Sequence, residues 1–299
     1  MIEQFEQRLQ QLRLYCRHKT DHLLTGHYHS AFKGQGIEFD EVRPYAVGDD
    51  VRHIDWNVTA RTGEVYIKRF HEERELNIIF VIDNSPSFTW SSEQESRQYA
   101  SAQLCGLIGS AAIANNDRIG ILRFSDGVDE FLPPKHGRSQ LMRCLSEVLQ
   151  LPKSTKTTQL SLAIEHLSHI KLKRSIIVIL SDFLSSSNEI YDDSLAILAK
   201  KHELLAIAID DPRELALGKS GLITVQDSES QHKITLDTAD ASIRETFAQQ
   251  MQNRIRQRKL DFANIGIDLL AHNLGNDPIE TLLTFFQTRR LRTDGETGG

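Results

Sequence analysis

The chain has 299 residues, of which 39% are hydrophobic and 25% charged, a composition typical of a folded globular protein. Its net charge of −6 excludes an overall basic field that would attract nucleic acid. It has no apolar run long enough for a membrane helix, no signal-peptide core and no paired cysteines, so we expect a cytoplasmic protein without direct membrane insertion.

The N-terminal part of the chain predicts a helix followed by a turn-rich β element. Apolar residues recur at helical spacing over residues 2 to 24, and we expect this helix to end near Gly26. Residues 26 to 75 carry clustered glycines between the short extended pieces IEFDEV and EVYIKRF. We therefore interpret residues 1 to 75 as one unit that packs on the core.

Buried strands alternate with helices from residue 76 onwards. The strand patterns are NIIFVID, RIGILRF, VDEFLP, SIIVIL, ELLAIAID and IGIDLLA, and LITVQD with HKITL predicts a polar hairpin. The helical patterns are Glu93 to Ala114, SQLMRCLSEVLQ, TQLSLAIEHLSHI, SLAILAKKHEL, Ala239 to Phe262 and PIETLLTFFQ. This order predicts an α/β fold with a doubly wound, mostly parallel, Rossmann-like sheet over residues 76 to 290. We expect residues 291 to 299 to be a disordered tail.

Polar side chains gather at three loops of the predicted sheet, where doubly wound folds bind their ligands. Asp83, Ser85 and Ser87 follow the first strand, Thr158 precedes a helix, and Asp182 follows SIIVIL. All are hard oxygen donors, which suit Mg²⁺ or Mn²⁺. Each loop taken alone is also explained as a helix cap, as for Thr158 before LSLAIEHL.

Taken in order, these residues resemble the metal-ion-dependent adhesion site of von Willebrand factor type A domains. The matching pattern is Asp83-x-Ser85-x-Ser87, then Thr158, then Asp182. In that family the serines and the threonine contact the ion, and the aspartates act directly or through water. The resemblance implies a type A fold that holds a single divalent ion, Mg²⁺ or Mn²⁺. It also implies a partner or client protein whose carboxylate completes the ion's coordination.

The segment GQGIEFDEVRPYAVGDDVRHIDWNVTARTGEVYIKRF is similar to the signature of a bacterial family called domain of unknown function 58. Members of that family place the segment directly before a type A domain, and the resemblance implies a MoxR-type AAA+ ATPase as partner. Within the segment, the candidates for partner binding are Arg43, Arg52, Trp56 and Arg61. The alternative is that these charged residues pair with nearby aspartates and fix the glycine turns, which is their more common fate.

We therefore predict a non-enzymatic, metal-dependent interaction module that acts as an adaptor for the ATPase in assembly or maturation of protein complexes. A metal-dependent hydrolase of phosphoesters or peptides is the alternative, weakened because the three loops contain no His or Lys base. Nucleic-acid binding by the basic C-terminal helices is disfavoured by the net charge. A zinc site at Cys16, His18 and His22 is conceivable, but closed zinc sites have tighter paired spacings.

Overall fold

The computed structural model describes residues 2–19, 22–32, 39–46, 48–51, 54–70, 75–85, 88, 96–150, 159–183, 193–226 and 233–296. The α-helices in this part of the chain are α1 (Ile2–Lys19), α2 (His22–Phe32), α3 (Trp56–Thr62), α4 (Arg97–Ala114), α5 (Arg138–Val148), α6 (Leu160–His169), α7 (Asp193–Lys201), α8 (Ala241–Asn264) and α9 (Pro278–Glu296). The strands are β1 (Phe39–Pro44), β2 (Tyr66–Phe70), β3 (Asn77–Asp83), β4 (Arg118–Phe124), β5 (Val128–Lys135), β6 (Ser175–Ser181), β7 (Glu203–Asp210), β8 (Leu222–Gln226), β9 (Lys233–Asp237) and β10 (Asp268–Asn273).

The central sheet has six strands in the order β10-β7-β6-β3-β4-β5. All neighbouring pairs are parallel except β4 and β5, so β5 is an antiparallel edge strand. The chain adds β4 and β5 on one side of β3, then crosses over and adds β6, β7 and β10 on the other side. This arrangement confirms the predicted doubly wound, mostly parallel α/β fold.

Side chains that alternate along each strand divide the core into two layers. On β3, Ile78, Phe80 and Ile82 face one hydrophobic cluster, which also contains residues of α1, α2, α4, α5 and α9. The intervening Ile79 and Val81 face the other cluster, which contains residues of α6, α7 and α8. Helices on both faces explain why the parallel strands are almost continuously apolar.

The N-terminal helices pack on the first of these layers. The expected helix end near Gly26 is wrong, because α2 continues through Gly26 to Phe32. Tyr28 is fully buried, donates a hydrogen bond to Asp117 Oδ2 at 2.9 Å and makes an edge contact with Phe286. This packing outweighs the roughly 1 kcal/mol that a helical glycine costs.

Three buried cysteines lie where α1, α4 and α5 meet. Cys16 of α1 packs into a notch that Gly106 of α4 leaves open, since a Cβ at that position would collide with the sulfur. Burial raises the pKa of the Cys16 and Cys144 thiols to about 12 and that of Cys105 well above its usual value. None of these three cysteines forms a disulfide. In the described part of the chain no cluster of His, Cys, Asp or Glu is arranged to hold zinc, and the His18 and His22 side chains lie outside it.

The turn-rich segment contains two strands, as predicted, and the structure shows that these strands, β1 and β2, form an antiparallel pair. The segment also contains a helix that the sequence reading missed. Asp55 caps α3 by accepting hydrogen bonds from the backbone amides of Asn57 and Val58 at 3.0 and 3.2 Å. Gly63 ends the helix in the left-handed conformation, with φ of 78°. The hairpin β8–β9 is also present, and α9 continues to Glu296, into the segment expected to be a disordered tail.

None of the helices within the described ranges is long and apolar enough to cross a bilayer.

Replacing Gly120 with alanine tests the close contact between β4 and β5. A Cβ at Gly120 would lie 2.8 Å from the Leu132 carbonyl oxygen and 2.9 Å from the Pro134 nitrogen, both backbone atoms that cannot rotate away. We expect Gly120→Ala to lower the free energy of unfolding in urea by about 1–3 kcal/mol. Gly127→Ala is the matched control, because its Cβ would meet open space. Equal losses in both variants would contradict this explanation.

Candidate metal centre

The candidate site lies beyond the carboxyl ends of β3 and β6, the two neighbouring strands between which the strand order reverses. Ile82 of β3 is in register with Leu180 of β6. The next residues, Asp83 and Ser181, therefore lie side by side, and Asp182 follows directly. Doubly wound sheets bind ligands in the crevice at this switch point.

Both carboxylate oxygens of Asp83 accept hydrogen bonds inside the crevice. Its Oδ2 accepts from the Ser181 hydroxyl at 2.6 Å, and its Oδ1 accepts from the backbone amide of Ser85 at 2.9 Å. Asp83, Ser85 and Asp182 are all buried, with Ser85 fully inaccessible to solvent. The structure thus brings together three of the predicted ligands, together with Ser181, at one place.

Burial makes the Asp83 carboxyl a weaker acid than an exposed aspartate. Loss of hydration raises its pKa to about 7, and the neighbouring negative charge of Asp182 contributes in the same direction. The hydrogen bonds from Ser181 and Ser85 act in the opposite direction but do not offset these effects. The crevice therefore favours either a proton or another positive charge next to Asp83.

Two buried arginines brace the loops around this carboxyl pair. Arg258 of α8 donates to the Asp182 carbonyl oxygen at 2.7 Å and to both carboxylate oxygens of Asp210 at 2.9 and 2.7 Å. Arg97 of α4 donates to the Ile209 carbonyl oxygen at 3.1 Å and forms an ion pair with Glu214. Arg258 is thus paired with Asp210 and Arg97 with Glu214, and the two arginines fix the ends of β6 and β7.

A polar network supports the other side of the crevice. The Asn84 amide donates to Asp129 Oδ2 at 3.1 Å, and the Ser125 hydroxyl donates to Asp129 Oδ1 at 3.0 Å. The Ser125 carbonyl oxygen also accepts from the backbone amide of Gln159 at 2.8 Å. These bonds connect the ends of β3 and β4 to the start of α6.

Several predicted site residues lie outside the described part of the chain: Ser87, Thr158 and Arg52. The structure therefore does not place Ser87 or Thr158 relative to Asp83. The N-cap of α6 is Gln159, whose side chain makes no capping hydrogen bond. Gln159 is the residue after Thr158, and the capping interpretation of Thr158 itself falls outside the described residues.

The remaining partner-binding candidates have different environments. Arg43 forms an ion pair with Asp49 through two hydrogen bonds of 2.8 and 2.7 Å. Arg43 therefore pairs with a nearby aspartate, as in the alternative to partner binding. Trp56, at the first position of α3, is 69% exposed, and Arg61 near the end of that helix is exposed as well. Trp56 and Arg61 are therefore available for contact with another molecule.

The donor set is consistent with a hard divalent cation. Asp83 and Asp182 supply two carboxylates, and Ser85 supplies a hydroxyl from the same turn. Within the described ranges no three His, Cys, Asp or Glu side chains converge as metal ligands. An ion bound by the two carboxylates Asp83 and Asp182 would be less fully neutralised than one bound by three carboxylates.

Sequence reasoning missed Arg97, Arg258 and their acidic partners. The sequence of α8 does carry a signal for Arg258. The buried residues of this helix are Met251, Arg258 and Phe262, and their spacings of seven and four residues place them on one helix face. An arginine at an otherwise apolar helix position indicates a buried ion pair. Its partner Asp210 lies 48 residues away and gives no local signal.

The fold and this crevice define a doubly wound α/β protein with a candidate ion site at the switch point of its sheet. A family profile described as "Protein of unknown function DUF58" matches residues 41–257. The chain belongs to this family, as its signature segment predicts.

Similar proteins include one of Mycobacterium tuberculosis, "Uncharacterized protein Rv1480", which is 29% identical over 287 residues, covering 94% of this chain and 89% of the relative. Among solved structures, BatB from Bacteroides thetaiotaomicron has a TM-score of 0.44 at 14% identity and covers 73% of this chain and 99% of its own. The SpRpn10 VWA domain has a TM-score of 0.42 at 13% identity, with coverages of 71% and 95%.

The buried ion pair between Arg258 and Asp210 can be tested by comparing a single with a double substitution. Arg258→Met leaves Asp210 buried without its guanidinium partner, and we expect it to lower the free energy of unfolding by about 3–5 kcal/mol. The double variant Arg258→Met, Asp210→Leu removes both charges and should recover more than half of that loss, as urea unfolding would measure. A loss in the double variant as large as in the single one would contradict the ion-pair explanation.

The raised pKa of Asp83 predicts how stability depends on pH in protein kept metal-free with EDTA. The folded state holds a proton on Asp83 up to about pH 7, whereas the unfolded state loses it near its ordinary pKa of 3.8. Stability from this group is therefore full below the unfolded pKa and is lost as the pH rises towards 7. Asp83→Asn should lack this loss and be more stable than wild type at pH 8 by more than about 1 kcal/mol. Asp237→Asn, in the exposed hairpin β8–β9, is the charge-matched control and should follow wild type.

Proposed function

We propose that this protein is a metal-dependent protein-interaction module that holds one Mg²⁺ or Mn²⁺ ion at the switch point of its sheet. The observation that carries the proposal is the buried pair Asp83 and Asp182, because burial and, next to it, the charge of Asp182 raise the pKa of Asp83 to about 7. A divalent cation relieves this repulsion more effectively than a single proton does.

The ion would be held by Asp83, Ser85 and Asp182, with Ser87 and Thr158 as further ligands by resemblance to type A domains. When bound, it supplies a Lewis-acidic coordination position that a carboxylate of a partner protein can fill. The buried arginines Arg97 and Arg258 fix the loops behind the site. Binding therefore needs little rearrangement on this side of the contact.

The partner that we propose is a MoxR-type AAA+ ATPase, with this protein as its adaptor in assembly or maturation of protein complexes. Membership of the DUF58 family and the signature segment support this choice. The exposed Trp56 and Arg61 are of the residue types enriched at binding hot spots, and we propose that they contribute to the contact.

Capture of a purified MoxR-type ATPase from the same bacterium tests the proposal. Wild-type protein should retain the ATPase in Mg²⁺ or Mn²⁺ and release it in EDTA, while Asp83→Ala should capture little under either condition. Metal alone at a hundredfold excess over its Kd should stabilise wild type by about 2.7 kcal/mol in thermal unfolding. Asp237→Ala is the control and should behave as wild type in both measurements.

Two outcomes would contradict the proposal in different ways. Capture that survives both EDTA and Asp83→Ala would show a metal-independent contact. Turnover of a generic phosphoester or peptide that is lost on Asp182→Ala would favour the hydrolase instead.

A further inference from the structure

The outer edge of β10 borders a groove that the candidate metal centre does not use. Among the residues that the structure describes, β10 pairs in the central sheet with β7 and has no strand on its other side. A cavity of about 930 Å³ follows its other side, and residues of α8 and α9 line it together with the strand itself. Three strand spacings separate β10 from β3, about 14 Å, so this groove is distinct from the crevice at Asp83.

Backbone groups of β10 point into this groove. The Leu274 amide donates to the Asp210 carbonyl oxygen at the end of β7, at 2.9 Å, whereas the Ile267 amide is directed away from β7, to Phe262 of α8, at 3.0 Å. Because backbone groups alternate in direction along a strand, the N–H and C=O groups of Leu269 and Ala271 also point away from β7. Within the described residues no hydrogen bond to these outward groups is present.

The walls of the groove can accept the side chains of a further strand. On α9, Thr281, Thr284 and Thr288 recur at helical spacing and face the groove together with Phe285. On the other side, Ala263 of α8 provides a small apolar wall. An added strand would direct alternate side chains to these two walls.

The carboxyl end of the groove is acidic. Asp277 and Glu280 lie at the start of α9, directly after β10, and both are exposed. A basic side chain at the corresponding end of a bound peptide would meet both carboxylates. Because the β10 edge lies between α8 and α9, these helices would keep the identical edge of a second copy away, whereas a single extended chain can enter.

We propose that this groove binds an extended peptide segment of a partner protein as an additional strand beside β10, with a lysine or arginine next to Asp277 and Glu280. Main-chain hydrogen bonds to Leu269 and Ala271 provide affinity, and the two walls and the acidic end provide specificity. The site is independent of the metal, so EDTA leaves it unchanged.

A random nonapeptide library displayed on phage, selected on the full-length protein in EDTA, tests the proposal. We expect selected peptides to carry a basic residue near one end and to protect the Leu269 and Ala271 amides from hydrogen exchange. Ala271→Pro removes an outward N–H without removing a bond to β7, and it should weaken binding about tenfold or more. Ala271→Val keeps the N–H and is the matched control. Glu280→Gln should weaken binding of the basic peptides and leave other peptides unaffected.

Three results would overturn the proposal. One is a set of selected peptides that bind Ala271→Pro as well as Ala271→Val. A second is slow exchange of the Leu269 and Ala271 amides in the free monomer, which would show that the edge is already covered. The third is a dimer in sedimentation equilibrium that Ala271→Pro dissociates, which would assign the edge to a second copy of the chain.

Discussion

The reversal of strand order between β3 and β6 places two carboxylates in one buried crevice, and much of the local structure responds to that constraint. Neighbouring parallel strands end at the same edge of a sheet about 4.8 Å apart, so the residues at the ends of β3 and β6 must meet. Water cannot separate their charges because Asp83 and Asp182 are both buried. The hydroxyl of Ser181 and the amide of Ser85 offset only part of the cost.

The buried arginines explain why this electrostatically unfavourable arrangement keeps a defined geometry. Arg258 connects α8 to the ends of both β6 and β7, and Arg97 connects the first turn of α4 to the end of β7 and to Glu214. A buried ion pair contributes little net stability, but breaking it is costly, so it restricts the loops to one arrangement. The crevice therefore lies within a frame of fixed charges, and a cation entering it meets ligands that are already oriented.

The parts of the fold that could be predicted from sequence are those that depend on local periodicity. NIIFVID and SIIVIL are apolar over a strand's length, and the switch-point rule then places Asp83 near Asp182 without knowledge of register. The failures have tertiary causes. Gly26 lies within a helix because Tyr28 is anchored on the core, and α3 was missed because its seven residues contain no buried side chain to set a period. The bond between Arg258 and Asp210 depends on how α8 crosses the sheet, which no local pattern encodes.

The cysteines at the junction of α1, α4 and α5 have a practical consequence. A thiol whose pKa lies near 12 inside a packed core reacts with alkylating reagents only when the packing opens. Cys16 belongs to the N-terminal helix, whereas Cys105 and Cys144 belong to helices that cover the sheet. The order in which the three sulfurs become alkylated therefore records whether the N-terminal helix detaches before the body of the protein opens. Alkylation of the three native cysteines can therefore report partial unfolding without an added label.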